Sequence, residues 1–272
     1  MTDTKKIASR DNPKLKHAKR VRDGKEKDEI FIEGARLSGE ALPSSIRVRE
    51  CFISTKALKN ERLKILADAV SGSGIVIHEL SVEMFRSISD TENSQGILLI
   101  CDKPDQSRKS FEGAISFSAE KIPVIVFLEE ANNPSNLGAI LRTAEAAGAA
   151  GVITSKNSAD PFSPKALRAS MGSAFRVPIW TDAYLNEVVE WALEREMIVT
   201  AADIDGNKIY TQIDWKKPRL LVFGSEAHGL NDADKRKIQD LVKIPIDANV
   251  ESLNLAVSAG VILFEAKRQL SS

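Results

Sequence analysis

Short apolar runs and helical periods alternate along this chain, and the alternation changes character once. In the first part the runs are brief: Ile30-Phe31-Ile32, Val48 to Ile53, Ile75-Val76-Ile77 and Ile97 to Ile100. Between them Leu58, Leu63, Ile65, Leu66, Ala69 and Val70 recur at helical spacing, and Val82 to Ile88 reads as a further helix. Ser71-Gly72-Ser73-Gly74 supplies the turn before the third run. Strands alternating with helices in this way predict a small α/β unit with its own core. The polar stretch Lys103 to Ser110, which contains Pro104, then reads as a linker.

Beyond the linker the runs become denser. Pro123-Val124-Ile125-Val126-Phe127-Leu128 is continuously apolar, as a strand covered on both faces of a parallel sheet would be. Gly151 to Thr154, Val177 to Ile179, Met197 to Ala201 and Leu220 to Phe223 read as further strands. Leu137 to Ala147, closed by Gly148, and Ala183 to Glu196 read as helices. The closing stretch, Ile244 to Gly260, reads as a strand, a tight polar loop and a mostly apolar, hence buried, helix. Ser252-Leu253-Asn254 stands at that helix's mouth, where a short polar side chain caps free backbone N–H groups. The expected fold is therefore α/β, with a parallel sheet between helices. Residues 1–105 form a smaller α/β domain, 106–120 a linker and 121–272 the main domain.

Composition narrows this picture only modestly. In 272 residues, Lys+Arg and Asp+Glu both number 38, so bulk charge does not suit the chain to coating nucleic acid. A local patch stays open: Arg10, Lys14, Lys16, Lys19 and Arg20 cluster on the first helical stretch, as a solvated helix face or a phosphate-contacting surface. Cys51 and Cys101 are the sole cysteines and, without a signal-like N-terminus, read as reduced thiols of a cytoplasmic protein. His17, His78 and His228 do not cluster with them, so no metal site is expected, and no apolar run reaches membrane-spanning length.

Ligands of open parallel sheets bind beyond the carboxyl ends of the strands. Three stretches there are rich in Gly, Asn, Ser and charge: Asn132 to Arg142, Gly224 to Leu230 and Asp247 to Asn254. Arg142 lies six residues after Asn136 in an apolar helix. It is either a structural partner of Glu145 or Glu226 or an anion handle. Gly224-Ser225-Glu226-Ala227-His228-Gly229 is neither GxGxxG nor a P-loop, and His228 alone reads as a surface histidine.

Taken in order, these stretches resemble the SpoU/TrmH branch of the SPOUT methyltransferases. Asn133 to Ala144 is similar to the first motif of that family, Leu221 to Leu230 to the second, and Ile244 to Ala266 to the third. Two departures are visible: Asn133 stands where Asp is usual, and Ile246 where Met is common. The segment with Ser9, Asn12-Pro13, Lys14, Phe31-Ile32-Glu33-Gly34 and Gln95-Gly96 resembles the family's L30e-like RNA-binding substrate domain.

The resemblance implies a C-terminal trefoil knot, a homodimer formed through the catalytic domain, and S-adenosyl-L-methionine as methyl donor. The implied acceptor is a ribose 2′-hydroxyl of RNA, first of all 23S ribosomal RNA, with transfer RNA as the alternative. It assigns catalytic roles to Asn136, Arg142, Glu226, Ser252 and Asn254, cofactor contacts to Ala201, Gly224, Ile244 and Leu253, and RNA contacts to Arg10, Lys14, Lys16, Lys19 and Arg20. Arg142 is then either the base that takes the hydroxyl proton or an anchor for phosphate and oxyanion. Two rivals come from other classes. A non-catalytic RNA-binding protein on the same fold would not need all five polar positions. An NAD-dependent oxidoreductase would need a glycine fingerprint after its first strand, which is missing.

Overall fold

The computed structural model describes residues 4–117 and 121–271. Packing divides the chain into two units: residues 1–104 with 162–175, and residues 105–161 with 176–272. The short excursion 162–175 therefore belongs by its contacts to the first unit, which its place in the sequence does not suggest.

The first unit contains β1 (Thr4–Lys6), α1 (Pro13–Arg22), β2 (Glu29–Glu33), α2 (Ala35–Ala41), β3 (Val48–Ser54), α3 (Glu61–Gly72), β4 (Ile77–Leu80), α4 (Val82–Ile88) and β5 (Ile97–Asp102). Its five strands are ordered β1-β4-β3-β5-β2, parallel from β1 to β3 and antiparallel from β3 to β2. One face carries Phe31, Phe52, Leu80, Leu98 and Ile100, over which Leu15, Ala18 and Val21 of α1 and Phe85 and Ile88 of α4 close the core. Asn12 caps α1 by accepting from the Lys14 N–H, and Pro13 takes the first helical position, where no N–H is needed. Cys51 and Cys101 are free and buried in this sheet, and burial pushes the Cys51 thiol up to about 12.

The second unit begins with α5 (Arg108–Ala114), inside the stretch expected to be a linker. Phe111 brings that helix into the core against Trp180 and Trp191, an anchor that one aromatic in a polar run did not advertise. Residues 118–120 of the expected linker lie outside the described residues. Then come β6 (Ile122–Leu128), α6 (Pro134–Ala147) and β7 (Ala149–Ser155). After α7 (Pro164–Ser170), which packs on β2 of the first unit, follow β8 (Ile179–Ala183), α8 (Leu185–Leu193), β9 (Ile198–Ala202), β10 (Lys208–Ile209), β11 (Arg219–Phe223), α9 (Asp232–Lys235), β12 (Asp240–Lys243) and α10 (Leu255–Leu270).

The seven strands of this unit are all parallel, in the order β10-β12-β9-β11-β6-β7-β8. From β6 the chain runs outward through β7 and β8, then crosses to build the other half, so the order reverses between β6 and β11. Ile125 and Phe127 join Val188, Val189, Trp191 and Ala192 of α8 in one core cluster. Helices α6 and α10 pack against each other and contribute nothing to that cluster.

Two sequence expectations change here. The closing strand is Asp240–Lys243, and Ile244-Pro245-Ile246 lies in the extended loop after it. The final helix is not buried all round: Ala259, Ile262, Leu263 and Ala266 face the interior, while Val257 and Phe264 are exposed.

Candidate active site

A pocket of about 570 Å³ opens at the carboxyl ends of β9, β11 and β12. Four segments build it: Ala202 to Asp205 after β9, Phe223 to Leu230 after β11, Ile244 and Ile246 after β12, and Ser252 to Leu255 leading into α10. Asn136, in the first turn of α6, completes the wall. Ligands of open parallel sheets bind at this end, beyond the carboxyl ends of the strands.

The polar wall is one hydrogen-bonded chain. Asn136 Nδ2 donates to Glu226 Oε1 at 2.6 Å, and Asn254 Nδ2 donates to Asn136 Oδ1 at 3.1 Å. Asn254 Oδ1 in turn accepts from the backbone N–H groups of Ala256 and Val257 at 2.9 and 3.3 Å, capping α10. The cap read from the sequence is thus present, and the same side chain reaches across to α6. Ser252 lines the pocket beside this chain.

The loop after β11 folds back on itself as a tight bridge. Ser225 and Gly229 exchange backbone hydrogen bonds of 3.1 and 2.9 Å, with Gly229 at φ 62°. A Cβ on Gly224 would stand 2.3 Å from Gly229 C and 2.6 Å from Leu230 N, so only glycine lets the backbone close here. The buried Leu230 anchors the loop's far end.

Of the expected cofactor contacts, Gly224, Ile244 and Leu253 line the pocket. Ala201 is fully buried in the core cluster, and its neighbour Ala202 faces the pocket instead. The segment Ala202 to Asp205 went unnoticed in the sequence, although polar residues directly after the strand Met197 to Ala201 were a usable signal. There Asp203 pairs with Lys235 at 2.7 Å, and that hydrogen bond holds the Lys235 amine above its ordinary range.

Arg142 does not line this pocket. It is exposed on α6, about 9 Å along the helix axis from Asn136 and on a different face. The two structural partners considered for it are engaged elsewhere: Glu145 with Arg176, and Glu226 with Asn136. Among the described residues it has no acidic partner.

The basic residues of the N-terminal helix are also partly spoken for. Lys14 pairs with Glu50, Lys16 with Asp11 at 3.1 Å, and Arg20 with Glu26. Arg10 and Lys19 carry no ion pair among the described residues. No group of three or more potential metal ligands occurs among the described residues. None of the helices described is long and apolar enough to cross a membrane.

A pocket walled by Ile204, Ile244, Ile246 and Leu253, with Asp203, Asp205 and Glu226 outnumbering Lys235, suits a partly apolar ligand carrying positive charge. The fold is that of an α/β protein with a parallel sheet similar to that of the SPOUT methyltransferases. The chain belongs to the SpoU rRNA Methylase family, whose profile matches residues 123–264. Residues 10–99 match the MRM3-like substrate binding domain. Similar proteins include an uncharacterized tRNA/rRNA methyltransferase of Synechocystis, 29% identical with 98% of this chain and 95% of the relative covered. A 23S rRNA (guanosine(2553)-2′-O)-methyltransferase of Bacillus subtilis is 28% identical, with 97% and 99% covered. Among solved structures, an AdoMet-bound rRNA methyltransferase from Sinorhizobium meliloti superposes with a TM-score of 0.84 at 29% identity, over 99% of this chain and 100% of that one.

Proposed function

We propose that the protein transfers a methyl group from S-adenosylmethionine to a ribose 2′-hydroxyl of RNA, with 23S ribosomal RNA as the substrate and the cytoplasm as its place of action. The observation that carries this is the chain from Glu226 through Asn136 to Asn254 in the wall of a cation-suited pocket. The donor, when bound, supplies an electrophilic methyl group. Everything else falls to the protein: holding the acceptor oxygen in line, excluding water and easing the loss of the hydroxyl proton.

Gly224, Ile244 and Leu253 hold the donor, largely through backbone groups. Asn136 and Asn254, each fixed by its neighbours, present oriented amides to the acceptor, with Ser252 beside them. Arg142 serves as a cation rather than as the base, since a guanidinium is a poor proton acceptor. Its task is to anchor a phosphate and stabilise charge on the 2′-oxygen while water carries the proton away.

Arg142 reaches RNA through a homodimer in which two catalytic domains share the RNA site. The exposed Val257 and Phe264 on α10, the helix packed on α6, support such an interface. The segment between β12 and α10 threads an earlier loop as a trefoil knot, a reading supported by its return to Asn136. Residues 1–105 form an L30e-like domain that grips RNA, with Arg10 and Lys19 as its unpaired charges, Lys16 and Arg20 freed when RNA replaces their acidic partners, and Lys14 kept beside Glu50.

Methyl-labelled donor incubated with ribosomal RNA and with transfer RNA, followed by mapping of 2′-O-methyl positions, tests the proposal. Label at one ribose of 23S RNA is expected. Label in transfer RNA alone would move the substrate, and binding of both RNA and donor without transfer would leave a non-catalytic RNA-binding protein.

A further inference from the structure

The first unit holds a second cleft, of about 890 Å³, that the methyl-transfer reaction does not use. It is lined by β1, the start of α1, the entrance to β3 and the turn before β4. On its floor, two polar side chains interrupt an otherwise apolar sheet face. His78 of β4 lies in register with Phe52 of β3, and Glu50 stands two residues before Phe52, so both share the face that α1 covers. The β3–β5 pairing shifts register between Val48 and Glu50, the kind of irregularity that re-aims a side chain.

Both groups are unfinished. His78 is 5% exposed, and its Nδ1 is buried with no hydrogen-bond partner. Glu50 gives one oxygen to Lys14, while Oε2 is buried with none. A protein rarely leaves a buried carboxylate oxygen and a buried imidazole nitrogen unpaired on neighbouring strands, because each forfeits its hydration without replacement. Burial, and next the Lys14 charge, hold the His78 imidazole below its ordinary range, so the ring is neutral and offers one donor and one acceptor. At the rim Lys5 and Arg47 are exposed and have no acidic partner among the described residues.

We propose that this cleft is a nucleotide subsite for an unpaired guanosine of the RNA substrate, with Glu50 reading the base edge and Lys5 and Arg47 holding its phosphates. The choice of base follows from the order of donors and acceptors. Guanine alone of the four bases places two adjacent N–H donors, N1–H and the N2 amino group, beside a carbonyl acceptor. A carboxylate flanked by the Lys14 ammonium and a neutral imidazole is the complement of that edge. Adenine and cytosine each set an acceptor next to their amino group, and uracil has a single N–H between two acceptors. Base edges are read in this way where RNA is single-stranded and its bases are unstacked. The inference rests on the reading of the chain as an RNA methyltransferase and adds a point of sequence selection remote from the reacting ribose.

Calorimetric titration of the full chain tests it, with S-adenosylhomocysteine present to fill the catalytic pocket. The four nucleoside 5′-monophosphates and inorganic phosphate are the probes. GMP is expected to bind at least about tenfold more tightly than AMP, CMP, UMP or phosphate, the scale of one good base-edge pair. Glu50→Gln, which keeps the side-chain shape, should remove that preference. Lys5→Ala with Arg47→Ala, both at exposed positions, should weaken all four nucleotides together. Equal affinity for the four, or a guanine preference unchanged in Glu50→Gln, overturns the assignment. Methyl transfer to RNA by the same preparations keeps the two readings apart. A wild-type protein that methylates RNA but shows no guanine preference loses the subsite alone, whereas one that methylates no RNA loses the methyltransferase reading.

Discussion

Asn136 shows how much one side chain can be asked to do. Its amide has a donor end and an acceptor end, and both are committed, to Glu226 and to Asn254. A side chain so held cannot turn, which is what positioning an attacking oxygen requires. Replacing Asn136 with Asp keeps the size but puts a carboxylate against Glu226. Turnover should fall by about 10²-fold or more, the scale of a misplaced reacting group, and a near-normal single-turnover rate would remove Asn136 from the site. Arg142→Ala should abolish methyl transfer while donor affinity, measured by calorimetry, stays within about twofold. Gly224→Ala should do the reverse, weakening the donor through a loop that can no longer close on Gly229 and Leu230. The three loops that carry Asn136, Gly224 and Asn254 were legible as polar stretches beyond strand ends, where ligands of parallel sheets bind, whereas the roles of single residues came only from the family resemblance. The exposure of Arg142 was not legible: an apolar helix suggested burial, and the helix period alone does not say which arc of α6 is covered.

At the level of elements, α10 joins stability to function through its cap. Asn254→Ala removes the cap, at a cost of about 1 kcal/mol, and also the bond to Asn136. Denaturant titration should show that modest loss alongside a much larger loss of activity; a variant that loses stability alone would confine Asn254 to capping. Helix α1 illustrates the opposite. Its row of cations read as either a solvated face or a phosphate surface, and Lys14, Lys16 and Arg20 meet Glu50, Asp11 and Glu26. Local sequence could offer Asp11 and Glu26 but not Glu50, which arrives from another strand. If Arg10 and Lys19 contact RNA, the double alanine variant should lower the slope of log affinity against log salt by about 1.4. The final strand was misplaced because its residues, Asp240-Leu241-Val242-Lys243, are half polar, while the apolar Ile244 and Ile246 flank a proline that cannot join a ladder.

At the scale of the molecule, the large parallel sheet was predictable from the run Pro123 to Leu128 and its successors, since such runs need cover on both faces. Its strand order was not, because β9, β11 and β12 assemble through pairings between distant segments. Arg219 ties this half of the sheet together, 3% exposed, donating to Asp240 at 2.7 Å and to Thr200 at 2.7 Å. Burial raises the Asp240 carboxyl, but hydrogen bonds from Lys208 and Arg219 outweigh it and hold the group below its ordinary range. Such a group stabilises the fold above the ordinary carboxylate pKa, near about 3.9, and loses that contribution as pH falls through the depressed folded value. Asp240→Asn should therefore cost about 3 kcal/mol at neutral pH, with the gap to wild type narrowing in acid. A gap independent of pH would show that packing, not charge, holds β12.

The hydrogen bond between Asn136 and Asn254 spans 118 positions of the chain. A ribosome makes proteins from one end only, so α6 and most of the large sheet emerge well before their polar partner exists. The polar wall of the pocket closes only when nearly the last segment leaves the exit tunnel. A chain that stops short of residue 254 lacks this link between the first turn of α6 and the mouth of α10.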